Sequence, residues 1–60
     1  MRELIGKRVL IVQPPESTIY EVFILSVSPS GRYVKLDFSP NGGGISWREV
    51  NSIKVVEVLE

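Results

Sequence analysis

Apolar and polar residues alternate over five stretches of the chain, each bounded by Pro, Gly, Asn or Ser. A period of two places one face of a strand on a core. The stretches run from Lys7 to Gln13, Ile19 to Ser28, Arg32 to Ser39, Gly44 to Trp47 and Ile53 to Leu59. Turn-forming segments separate them: Pro14-Pro15-Glu16-Ser17, Ser28-Pro29-Ser30-Gly31, Ser39-Pro40-Asn41-Gly42-Gly43-Gly44, and a softer break over residues 48–52. Val and Ile dominate the apolar set and alanine is absent. β-branched residues suit a pleated sheet and alanine is the best helix former, so the expected class is all-β. After the glycine-rich loop, Ile45-Ser46-Trp47-Arg48-Glu49-Val50 reads as a short strand entering one turn of 3-10 helix. The spacing of Ile45, Trp47, Val50 and Ile53 points them inward.

The middle hairpin carries the most specific expectation. In Ser28-Pro29-Ser30-Gly31, Pro presets the φ of about −65° that a type I turn needs, and Gly supplies a left-handed residue after it. This is the signature of a three-residue loop with a glycine bulge. It sets Ser28 opposite Arg32, so Val22, Ile24 and Ser26 face Phe38, Leu36 and Val34 on the core side. Tyr20 shares that side, at the end of its strand. The other side carries Glu21, Phe23, Leu25 and Val27 opposite Ser39, Asp37, Lys35 and Tyr33. Phe23, Leu25, Val27 and Tyr33 form an apolar group beside Lys35 and Asp37, and such a group calls for cover, by neighbouring strands or by a partner. Val9-Leu10-Ile11-Val12 and Val55-Val56 are apolar at both parities, the pattern of strands buried on both faces.

Composition narrows the chemistry. Sixty residues make one small domain, residues 1–60, and an apolar share of 43% is that of a folded chain. With no Cys and no His, a disulfide framework is excluded and a zinc site would have only carboxylates to use. Seven Lys/Arg balance seven Asp/Glu, which removes the positive excess that drives non-specific binding to phosphates. Met1-Arg2-Glu3-Leu4-Ile5 lacks the apolar stretch of a secretory signal, and no run approaches the ~18 apolar residues of a membrane span. The expectation is a cytoplasmic chain without a membrane segment.

Five short strands, a long second strand, a tight turn at Pro29 and a one-turn helix before the last strand together resemble the SH3-like small barrels, a group that includes Tudor, KOW and archaeal chromatin-protein domains. The passage Ile45-Ser46-Trp47-Arg48-Glu49-Val50-Asn51-Ser52-Ile53 looks most like the strand-four-to-five segment of such barrels. The resemblance covers nearly the whole chain as architecture, and it implies a single five-stranded barrel. It carries no functional residue. The Ala-Leu-Tyr-Asp-Tyr signature of domains that bind proline-rich peptides is missing, Trp47 has no second Trp beside it, and neither the glycine pattern of a KOW motif nor the lysine density of archaeal chromatin proteins is present.

Catalysis by the common routes needs a nucleophile with a base, paired carboxylates in a cleft, or a metal cluster. Glu16, Glu21, Asp37 and Glu49 stand singly, so the chain reads as no enzyme, with no cofactor, metal or small-molecule substrate. Asn41-Gly42-Gly43-Gly44 has the glycines of a phosphate loop but leads into a strand instead of a helix, which leaves it a conformational role. Two readings of function remain. In the first, a protein-interaction or self-assembling module presents Phe23, Leu25, Val27 and Tyr33 to a protein partner or a second copy, with Lys35 and Asp37 setting register by charge. In the alternative, a nucleic-acid-binding barrel uses the same face, with Tyr33 and Trp47 stacking on bases and Arg32, Lys35 and Arg48 on phosphates.

Overall fold

A computed structural model describes all residues 1–60. Five strands, β1 (Arg8–Val12), β2 (Ile19–Val27), β3 (Tyr33–Asp37), β4 (Ile45–Glu49) and β5 (Lys54–Val58), form one antiparallel sheet in the order β4-β3-β2-β1-β5. Each strand falls within a predicted stretch or within two residues of it. Single 3-10 turns occupy Arg2–Leu4, Ser39–Asn41 and Val50–Ser52, the last being the expected turn before β5. No helix is long and apolar enough to cross a membrane.

β2 is the longest strand because it serves two neighbours. Its first half pairs with β1, from Val12↔Ile19 to Arg8↔Phe23, and its second half with β3. Eight side chains form the core: Val9, Ile11, Val22, Ile24, Val34 and Leu36 are fully enclosed, and Phe38 and Ile53 close its ends. No polar or charged residue is buried. Tyr20 packs on this core with its ring edge against Phe38, centroids 5.8 Å apart at 81°, an arrangement that aromatic quadrupoles favour. β5 departs from the two-sided burial read in its sequence. It is an edge strand, and Val56 and Val58 are exposed because no element covers its outer side.

The β2–β3 hairpin follows the predicted register at its base and departs from it near the turn. Phe23↔Asp37 and Ile24↔Leu36 pair as expected, but Leu25 then bulges out, so Ser26 pairs with Lys35 and Val27 with Val34. The cause is a loop one residue longer. The Ser28 N–H donates to the Tyr33 carbonyl at 2.9 Å, and the Tyr33 N–H donates to Ser28 Oγ at 3.1 Å. The type I turn forms inside that loop, with Gly31 N–H to Ser28 C=O at 2.9 Å and Gly31 left-handed at φ 77°. Arg2 Nη2 donates to the Ser28 and Pro29 carbonyls, both at 2.9 Å, and holds the turn from outside. The bulge absorbs the extra residue, and the inner face keeps its apolar set. Val27 thereby leaves the predicted outer group and packs on the core, and Ser26 takes an outward position.

The loop to β4 is conformational, as its glycines imply. Gly42 ends the 3-10 turn at φ 80°, and Gly43 and Gly44 bond to Phe38, N–H to C=O at 3.1 Å and C=O from N–H at 2.9 Å. Asn41 uses its side chain as a substitute strand. Its Nδ2 donates to the Glu21 carbonyl at 2.6 Å and its Oδ1 accepts the Glu21 N–H at 3.3 Å, where β2 has run past the paired part of β3. Asn41→Asp keeps the shape but turns the donor into a carboxylate facing a carbonyl. It should lower stability by about 1–2 kcal/mol, measured by urea denaturation, and a value near zero would remove this role.

Candidate functional site

Strand alternation sends Val34 and Leu36 into the core and Tyr33, Lys35 and Asp37 to the other face of β3. β4 pairs without irregularity as Tyr33↔Glu49, Val34↔Arg48, Lys35↔Trp47, Leu36↔Ser46 and Asp37↔Ile45. Paired residues share a face, so Ile45, Trp47 and Glu49 point outward and Ser46 and Arg48 inward. This inverts the expectation for Ile45 and Trp47, which are 60% and 50% exposed. Val50 and Ile53 do turn to the core, as expected. The inversion follows from loop length: the Phe38–Gly44 hydrogen bond fixes the phase of β4, and a shift of one residue would exchange its faces.

Arg48 takes the inner place that Trp47 does not. Its guanidinium lies over the Phe38 ring, 5.3 Å from the centroid, with Nε donating to Gln13 Oε1 at 2.9 Å and Nη1 to Ser46 Oγ and to the Trp47 carbonyl. An arginine can do this because its stem is apolar and its weakly hydrated planar head stacks on aromatic faces. Gln13 follows β1, which stands three strands away from β4 in the sheet. Three spacings of ~4.8 Å would separate them by about 14 Å in a flat sheet, so this bond shows that the sheet curls toward itself. A hollow of ≈ 320 Å³ beside Arg48 is lined by Gln13, Tyr20, Phe38, Asn41 and Ser46 among others. Arg48 therefore does not join Tyr33 and Lys35 on one surface, which corrects the predicted phosphate-binding set.

The structure brings the remaining predicted residues together in part. Phe23, Lys35 and Asp37 are half-buried on the outer face, Leu25 stands 38% exposed at the bulge, and Tyr33 is 44% exposed. Arg32 is exposed in the loop, where its carbonyl accepts the Val50 N–H at 2.8 Å. Asp37 is partly committed, since its Oδ1 accepts the Ser39 N–H at 2.9 Å, two residues on. Around Tyr33 and Trp47 lies an open groove of ≈ 440 Å³, bordered also by Ser26, Val27, Ser28 and Pro29. Its wall is aromatic and aliphatic with serine hydroxyls at the margin, and no charged side chain lines it. Trp47 opposite Lys35 is the pairing that strand alternation alone missed. Only the loop length between Asp37 and Ile45 could have signalled it.

Lys35, Asp37 and Glu49 form no ion pair, and the charges that do pair on a strand lie elsewhere, Arg8 with Glu21 at 3.0 Å and with Glu60 at 3.4 Å. No three acidic side chains gather where they could hold a metal ion. The outer face of β3 and β4 is thus an apolar strip with an aromatic groove and unpaired charges of both signs. Fold and face together define a small antiparallel all-β domain with an uncovered aromatic surface. No family model, no curated protein and no solved structure matches the chain.

Proposed function

We propose that the chain is a non-catalytic interaction module, built as an SH3-like small barrel, that associates with itself or a protein partner through the outer face of β3 and β4. Support for the barrel comes from the strand order β4-β3-β2-β1-β5 and from the Arg48–Gln13 bond across the open side of the sheet. The observation that carries the function is the exposure of Trp47 and Tyr33 around one groove. Tryptophan and tyrosine are enriched at interface hot spots because they bury large area with few rotatable bonds. The balance of surface points the same way. Eight large apolar side chains are exposed, as many as are buried, and a domain of this size buries only about 60% of its unfolded-chain surface. Lys35 beside Trp47, with Asp37 and Glu49 at the ends of the strip, supplies charge of both signs for orienting a partner.

Exposure of Trp47 across from Lys35 also supports the nucleic-acid reading, since stacking and phosphate contact would act side by side. Arg48 turned inward, and Asp37 and Glu49 on the same face, weigh against it. One pair of measurements separates the two. Sedimentation from micromolar to millimolar concentration should show association that Tyr33→Glu abolishes. Titration with single-stranded DNA or RNA at low salt should show none. A monomer throughout, with nucleic-acid binding that weakens as salt rises, would reverse the choice.

A further inference from the structure

We infer that two copies of this chain join edge to edge through β4, antiparallel, so that their sheets continue into one another. This deepens the proposed self-association and rests on it. The sheet has two free edges, and they are built differently. β5 has a register irregularity opposite Leu10 and Ile11 and carries exposed Lys54 and Glu57. Bulges and charges are the usual means of keeping an edge from pairing with another chain. β4 has no bulge and no proline, and of its two charged residues Arg48 is turned inward over Phe38 and Glu49 stands at the strand end: all five of its residues pair with β3 in unbroken register.

The backbone of β4 is left half used. Hydrogen bonds from Phe38 N–H to Gly44 C=O and from Val50 N–H to Arg32 C=O bracket the β3–β4 ladder. Antiparallel alternation then commits Ser46 and Arg48 to β3 and turns the N–H groups of Ile45, Trp47 and Glu49 outward. The Trp47 and Glu49 carbonyls each accept one side-chain bond, from Arg48 Nη1 and Ser52 Oγ, and each retains a second lone pair. The residues free to bond are therefore 45, 47 and 49 in both copies. The register that pairs the whole strand sets Trp47 opposite Trp47 of the second copy, Ile45 opposite Glu49, and Ser46 opposite Arg48. In that register no like charges face each other. A two-residue slide centred on Arg48 would oppose two guanidinium groups, and one centred on Ser46 would leave Glu49 outside the paired strand. Charge pattern and hydrogen-bond phase thus select one arrangement, and it buries the two exposed indoles against each other.

Glu49→Pro tests the edge without touching the ladder. Glu49 sits at φ −68° and ψ 132°, close to the φ a proline ring fixes, and its N–H faces away from β3. The exchange removes two edge bonds per dimer, and Glu49→Ala controls for the lost carboxylate. The wild-type chain should dimerise in sedimentation equilibrium, with emission from its sole tryptophan moving to the blue as concentration rises. Glu49→Pro should keep the far-ultraviolet circular dichroism and raise the dissociation constant roughly tenfold or more, with Glu49→Ala close to wild type. Association unaffected by Glu49→Pro but lost in Tyr33→Glu would overturn the edge and leave the interaction face standing. A monomer at every concentration would overturn the edge and, with it, self-association through this face. Should Glu49→Pro fail to fold, amide exchange of the wild-type chain decides. Slowing of the Ile45, Trp47 and Glu49 amides with concentration supports the edge, and exchange independent of concentration sinks it.

Discussion

Ile24→Ala is expected to lower the free energy of unfolding by about 3–4 kcal/mol. Ile24 is fully enclosed, pairs with Leu36 at the centre of the sheet, and stands among eight core residues in total. Removing its three outer carbons loses their transfer energy and leaves a cavity that two rigid strands cannot close. A chain of this length holds only ~3–9 kcal/mol of stability at ordinary per-residue values, so the variant should be partly or wholly unfolded at physiological temperature. Ile24→Val, which removes one methyl, should cost about 1 kcal/mol. Urea denaturation followed by circular dichroism measures both. A loss under 1 kcal/mol for the alanine variant would mean that Ile24 does not pack as described.

Gly43→Ala should cost about 2–3 kcal/mol, although the loop is at the surface. A Cβ at this position would lie 2.9 Å from Phe38 Cβ and 3.5 Å from the Phe38 carbonyl oxygen. Neither atom is the tip of a flexible side chain. Phe38 is held by the core, by Tyr20 and Arg48, and by hydrogen bonds to Gly43 and Gly44, so the loop must move instead. Gly44→Ala meets nothing within 4 Å and has no positive φ. It should be neutral, or slightly stabilising through a less free unfolded chain. The difference between the neighbours is the test: equal thermal shifts for both would refute a steric cause.

The apolar alternation made the inner faces of β2 and β3 legible, because Val22, Ile24, Val34 and Leu36 are the residues a period of two selects, and the glycines and prolines placed the first three breaks between strands. The 3-10 turn at Val50–Ser52 followed from the short strand before it and the spacing of Val50 and Ile53, without a glycine or proline to mark it. Two things were hidden, and both are matters of loop length. Ser28-Pro29-Ser30-Gly31 reads as a three-residue connection, and the four-residue loop that forms instead is held by hydrogen bonds of Ser28 and Arg2 that no local pattern contains. In β4 the apolar residues Ile45 and Trp47 suggested the core. Phe38 and the glycine loop instead set the opposite phase, and Arg48 proved able to roof an aromatic ring. Of the predicted surface, Phe23, Leu25, Tyr33, Lys35 and Asp37 do lie outside the core. Val27 left that group with the bulge, and Trp47 joined it with the inversion of β4.

The unpaired residue at Leu25 also governs shape. A chain with this position deleted would retain Ile24 facing Leu36, Ser26 facing Lys35 and Val27 facing Val34, so every lateral partner would survive. What it would lose is the local coiling that an extra residue forces on one strand. The ribbon from Ile19 to Val27 would straighten, and Arg48 and Gln13 would move out of reach of each other. One aliphatic residue with no partner across the ladder thus acts as the joint about which the sheet bends.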